Sequence, residues 1–339
     1  MTMCSKNWSL RKMKLYNRML SADLANKMLA KKKYVFISAA NYLSSKEQPE
    51  KRGERIKEEL RPLKYCAIQY FHKGVSKEGK IVEEFKVTRE DGNSKVYTSL
   101  RKKEMCSFLQ SVFVEEKILV VDFTLMNTRF LGAFCAILSL FQWDEVYFCY
   151  TEPGKYNKNE KNDYELKNRT MGFEQIPGLE TLSDSSSTCD WVVFLGFEGA
   201  RSTRLEGEAP ASRRYSLPRI SIPAMKTCWH NISVDANRKF FELKMGQLEK
   251  LDYVSAINPF ETYNALVDLR KNNSVRLVIS PIGPKPVMLG CIMYVIGDEN
   301  EMLLYDNPYQ EGNNTEEYGA SHFYDLSYFI HCVKNKRFL

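Results

Sequence analysis

From about residue 100 onward the chain alternates short apolar runs with stretches of helical period. Apolar runs fall at 118–123, 146–150, 191–195, 219–222, 253–257, 276–279 and 302–305. Helical stretches lie between them at 100–114, 129–141, 234–249, 260–272 and 285–296, with another at 322–334. Short, continuously apolar strands separated by helices mark parallel strands buried on both faces. The pattern therefore predicts an α/β architecture over residues 99–339, a Rossmann-like and mostly parallel sheet with helices on both faces. Two stretches break the alternation: 153–190, with the run Asp184-Ser-Ser-Ser187, and 199–218, with Gly199, Gly207, Pro210 and Arg213-Arg214. Both are expected to be surface loops.

Residues 1–98 carry a different pattern. Leu10, Met13, Tyr16, Leu20, Leu24 and Met28 recur at three- and four-residue steps, which predicts an amphipathic helix over 8–30. A strand follows at 34–38, a charged helix at 47–64 and a second strand at 65–71. The runs 81–87 and 94–97 flank Glu90-Asp91-Gly92-Asn93, whose Asp-Gly pair favours positive φ and so a β-hairpin. Residues 1–98 are thus an N-terminal α+β region, expected to fold onto the main sheet.

Composition narrows the class. With 44% hydrophobic and 27% charged residues in 339, the chain can bury a proper core. Its longest apolar stretch, Phe130 to Phe141, is too short to cross a bilayer, and its start lacks the apolar core of a signal peptide. A cytoplasmic protein without membrane contact is the expectation. The nine cysteines are scattered without paired spacing and read as reduced core residues. Cys228 and His230 stand two apart but lack the companions of a zinc site. The net charge of +7 is uneven, since Arg11, Lys12, Lys14, Arg18, Lys27, Lys31, Lys32 and Lys33 oppose only Asp23 between residues 11 and 33. That stretch could contact nucleic acid or present a solvated face.

In an open α/β sheet, ligands bind beyond the carboxyl ends of the strands. The residues that follow the predicted strands are therefore the candidates. They are Asp122, Thr124, Asn127 and Arg129 after the first, Glu152 after the second, and Glu198 and Arg201 after the third. Asp122 can cap a helix or hold a ribose hydroxyl or a metal ion. Glu198 and Arg201 can pair with each other or reach a ligand. A fourth strand leads into Ser280-Pro-Ile-Gly-Pro-Lys-Pro-Val-Met288. There Gly283, Pro284, Lys285 and Met288 open a helix whose N-terminus, with the lysine charge, favours an anion. No Walker A, G-x-S-x-G or G-x-G-x-x-G motif occurs, and no cofactor signature is present.

The stretch 280–290 resembles the Gly-Gly-Thr-Lys-x-Met segment of CARF-type domains, the Rossmann-like sensors of nucleotide second messengers in prokaryotic antiviral defence. It differs in carrying proline for threonine and one glycine for two. The resemblance implies a homodimer that binds an oligonucleotide across its interface and signals to an effector partner. The leading expectation is a nucleotide- or phosphate-binding regulatory sensor. The rivals are a metal-dependent enzyme on a nucleotide or nucleic acid, using Asp122, Glu152 and Glu198, and a nucleic-acid-binding subunit of a larger defence complex.

Overall fold

The computed structural model describes residues 14–39, 51–112, 116–158, 169–170, 172–181, 187–244, 251–272, 275–298, 300–309 and 315–337. Two sheets carry the fold. The first contains β1 (Met19–Ser21), β2 (Val35–Ala39), β3 (Lys64–Val75), β4 (Ile81–Arg89), β5 (Ser94–Tyr97), β6 (Ile118–Asp122) and β7 (Glu145–Tyr156). A late strand, β15 (Thr315–Asp325), joins them in the order β1-β15-β7-β6-β2-β3-β4-β5. Its middle strands β7, β6, β2 and β3 are parallel, and antiparallel pairs close both edges. Beyond a two-residue strand β8 (Arg169–Thr170), the second sheet takes β9 (Cys189–Phe194), β10 (Arg213–Ser221), β11 (Asp252–Val254), β12 (Arg276–Pro281) and β13 (Met302–Leu303). These five are all parallel, in the order β11-β10-β9-β12-β13. β14 (Pro308–Tyr309) pairs with β8.

Helices cover both faces of both sheets. On one face of the first sheet, α1 (Ala22–Leu29) and α2 (Lys51–Leu60) bury Leu29 and Ile56 against Phe36, Val120 and Tyr147. Its other face packs on α3 (Lys102–Val112) and α4 (Thr128–Leu138). The second sheet carries α5 (Gly199–Gly207), α6 (Trp229–Ala236) and α7 (Arg238–Lys244) near one face, where Leu205 and Phe240 meet Trp191 and Val278. Against its other face lie α8 (Pro259–Asn272) and α9 (Lys285–Ile296), while α10 (Ser327–Arg337) follows β15. One continuous core joins Val121 and Phe148 of the first sheet, through α4 and α9, to Val192 and Ile279 of the second. Every residue of α4 is buried, and so is α9 from Pro286 onward. A helix apolar all round must lie inside, which is why these two form the middle layer.

The two halves share a connection rule. In each, the first of the parallel strands (β2 or β9) has its successor on one side and a later strand (β6 or β12) on the other. That reversal is the switch point at which open α/β sheets bind ligands. The helices leaving β6 and β12, α4 and α9, pack on one another. Carboxyl ends of both sheets are thereby brought together.

Several expectations change. The helix expected over 8–30 is, within the described residues, a short strand followed by α1; residues 8–13 lie outside them. Met19–Ser21 pair with β15, and the Ser21 hydroxyl accepts from the Leu24 amide at 3.3 Å, so the helix starts only there. Lys14, Arg18 and Lys32 bond Asp268, Asp325 and Glu145 at 2.6, 3.0 and 2.6 Å, which ties half of the described basic residues of this segment to the body. The division at residue 98 is not a sheet boundary, because β2 and β3 belong to the sheet of β6 and β7. Residues 99–339 contribute to two sheets where one was expected. The stretch 199–218 holds α5 and most of β10, and 322–325 is the end of β15 where a helix was expected. The hairpin stands as expected, with Gly92 at φ 80° between β4 and β5. Eight described cysteines are free thiols, five of them buried. No described helix is long and apolar enough to cross a membrane.

Gly290 marks the crossing of α9 with α8, where a Cβ would strike the Pro259 carbonyl and Thr262. Gly290→Ala is expected to lower stability by about 1–3 kcal/mol, because backbone cannot retreat as a side chain can. Urea unfolding at neutral pH measures it, and an unchanged midpoint would refute the tight crossing.

Candidate functional site

The carboxyl ends of the two sheets open onto one cleft. The first half contributes Arg52, Thr124, Leu125, Thr128, Tyr150 and Tyr156; the second contributes the turns after β9 and β12 and the start of α6. The cleft offers about 200 Å³ to the centres of water molecules. One water needs roughly 10–15 Å³ on that scale, so the space suits an organic molecule rather than a lone ion.

Glycine makes the second-half turn possible. A Cβ on Gly196 would meet the Ile282 carbonyl, and one on Gly199 the Ala236 carbonyl. The Gly196 carbonyl accepts from Asn237 Nδ2 at 2.8 Å and Ser233 Oγ at 3.1 Å, which fixes α6 against the turn. Between these glycines Phe197 projects to the cleft and meets Trp229 and Tyr156 edge-to-face, with centroids 5.7 and 5.3 Å away. Tyr156 and Trp229 are 5.1 Å apart. Three aromatic rings from β7, the β9–α5 turn and α6 thus form one wall across both halves. Such rings present flat apolar surface with polar edges.

Lys285, the first residue of α9, also lines the cleft. Its Nζ donates to the carbonyls of Thr124 and Met126, each at 2.7 Å, and to that of Phe123 at 3.4 Å. The ammonium is therefore held by the β6–α4 turn of the other half. It is a fixed charge, not a swinging arm. Pro284 caps α9 without a side-chain bond, whereas Asn127 Oδ1 caps α4 by accepting from Arg129 N at 2.8 Å.

Asp122 closes β6 just beneath this turn. One oxygen accepts from the Thr124 amide at 2.9 Å; the other, Oδ2, is buried without a hydrogen-bond partner. Burial pushes its pKa up to about 6, against the pull of the Thr124 bonds and the charges of Lys285 and Arg52.

Of the expected site residues, Thr124, Glu198, Arg201, Gly283, Pro284, Lys285 and Met288 line the cleft. The others do not, and each has an internal reason. Asn127 caps α4. Arg129 is buried, donating to Glu83 at 2.7 Å and the Gln175 carbonyl at 3.0 Å. Glu152 meets His322 at 2.6 Å. Arg201, though it borders the cleft, has its fork on Asp306 at 2.7 and 3.0 Å and its remaining nitrogen on Glu198 at 2.7 Å. Burial works against that charge, and the carboxylates of Asp306 and Glu198 more than restore it. Asp122, Glu152 and Glu198, proposed partners around a metal, go to separate bonds. Among the described residues no group of three His, Cys, Asp or Glu side chains is arranged to hold a metal ion. Arg52, Tyr150, Tyr156, Phe197, Trp229 and His230 were not foreseen. Phe197 alone had a readable signal, lying in the same strand-end turn as Glu198.

No family model, curated protein or solved structure matches the chain. The fold and the cleft together define an α/β protein of two Rossmann-like sheets whose carboxyl ends share one cleft.

Two outcomes test this geometry. Lys285→Met removes the ammonium from three carbonyls and is expected to cost roughly 1–3 kcal/mol in urea unfolding; no loss would refute the tie between halves. Asp122 has a raised folded pKa, so the folded state holds a proton that the unfolded state has released, and stability falls as pH rises from about 4 to about 6. Asp122→Asn should escape that fall, gaining about 2–3 kcal/mol on the native protein between pH 4 and pH 7.5. Parallel stability curves for the two proteins would contradict it.

Proposed function

We propose that the chain is a binding and regulatory protein that takes a nucleotide, or another phosphorylated small molecule, in the cleft between its two sheets. The observation that carries this reading is the convergence of two switch points on a single cavity. One wall supplies Tyr156, Phe197 and Trp229 for a planar ring. The same lining supplies the fixed charge of Lys285 and, from the first half, Arg52 for an anionic group. A ligand that touches residues of both halves would stabilise one disposition of them, which is how binding becomes a signal.

The likeness of residues 280–290 to the CARF segment supports the same assignment from sequence. In that family the ligand lies across a homodimer interface; here the whole lining comes from one chain, so the cleft needs no second copy. A regulatory role in antiviral defence rests on that likeness alone. Because Lys285 is held by carbonyls, its contribution to a ligand is electrostatic rather than a new hydrogen bond.

Thermal melts with mononucleotides, dinucleotides and inorganic pyrophosphate, without divalent ions, test the reading. A nucleotide at a hundredfold excess over its Kd should stabilise the protein by about 2.7 kcal/mol. Trp229→Ala should weaken binding by roughly tenfold, in line with about 1–3 kcal/mol per stacked base. If every compound leaves the melting temperature unmoved, the assignment fails.

A further inference from the structure

At the opposite, amino edge of the second sheet, Arg276 begins β12 and is 7% exposed. Its Nε, Nη1 and Nη2 are all buried, and none has a hydrogen-bond partner. A buried lysine or carboxyl can shed its charge by a shifted pKa. Guanidinium cannot, because it keeps its proton at any pH a protein survives. A buried charge must then be met by an opposite one.

Among the described residues no carboxylate pairs with Arg276. Arg276 pairs in register with Cys189, and Cys189 pairs in register with Arg213 on the far side. Partners in parallel register point to the same face, here the one where Cys189 packs with Trp191. Strands lie about 4.8 Å apart, so two arginines flank the Cys189 thiol at roughly 10 Å between their Cα atoms. Arg213 donates from Nη2 to Glu206 at 2.9 Å and from Nη1 to the carbonyls of Pro210 and Ala209 at 3.0 and 3.4 Å. Its Nε is buried without a partner. The nearby carboxylate of Asp190 is held by Arg214 at 2.8 and 3.0 Å.

We propose that this edge binds a tetrahedral oxyanion, a phosphate group, between Arg276 and Arg213 over Cys189. The Nε and Nη atoms of a guanidinium form a planar fork that matches two oxygens of such an anion. The site is separate from the cleft, which lies at the carboxyl ends of the same strands. It takes the phosphate as a structural or regulatory ion, locking β9, β10 and β12 together.

The test is thermal melting of the full chain in low millimolar phosphate against chloride at equal ionic strength, a concentration too low for general salt effects. The native protein should gain roughly 2–6 °C in phosphate. Arg276→Met should melt in chloride at or above the native temperature, since a buried charge has gone, and should lose the phosphate gain. Arg276→Lys, which keeps the charge without the fork, should keep a reduced gain. Lys285→Met, which loses its bonds at the opposite edge and so melts lower in chloride, should still show the full phosphate gain above its own chloride value. A native protein indifferent to phosphate overturns the proposal. So does Arg276→Met that responds as the native protein does, since the ion then acts elsewhere; in that case the cleft reading survives.

Discussion

An ammonium group reaching across the molecule sets the geometry of the cleft at the carboxyl ends of both sheets. Lys285 leaves the second sheet at the first residue of α9 and ends on the carbonyls of Thr124 and Met126 in the first. Those carbonyls belong to a turn that Asp122 also holds, from below, through the Thr124 amide. Charge-assisted bonds of this length are among the stronger polar contacts a protein makes. They align the two switch points. The apolar helices α4 and α9 support the contact from behind, since each is buried on every side and neither has room to slide.

Much of this was legible along the chain, for identifiable reasons. Strands β6, β9 and β12 are buried on both faces, so they read as unbroken apolar runs, and α9 begins at the residue its Gly-Pro-Lys-Pro sequence suggests. What escaped was local structure that depends on distant partners. α5 is short and polar, and it is held by close approach of Gly199 to the Ala236 carbonyl, a contact no window of sequence can show. β15 exists because β7 and β1 offer it two pairing edges. The division into two sheets was hidden for a similar reason, because alternation of strand and helix says nothing about which strands share hydrogen bonds.

The site followed the same divide. Residues chosen because they follow strands did gather at the cleft where their turns face inward, as with Thr124, Gly283 and Lys285. Other charged candidates turned inward. Arg129, Arg201 and Glu152 found partners within the fold, since a buried charge is drawn to the nearest compensating group. The aromatic wall of Tyr156, Phe197 and Trp229 comes from three separated segments and had no joint signature in the sequence. Carboxyl and amino edges of the second sheet thus differ in kind: one gathers rings and a tethered cation around open space, the other encloses a guanidinium whose nitrogens have no hydrogen-bond partner.

The proposed ligand of the cleft between the sheets is a phosphorylated ring compound. Photoaffinity labelling with an azido-purine nucleotide, followed by peptide mapping, tests it most directly. Peptides that carry Tyr156, Phe197 or Trp229 should be labelled, and excess unmodified nucleotide should suppress the labelling. Labelling confined to other surfaces, or insensitive to competitor, would contradict it.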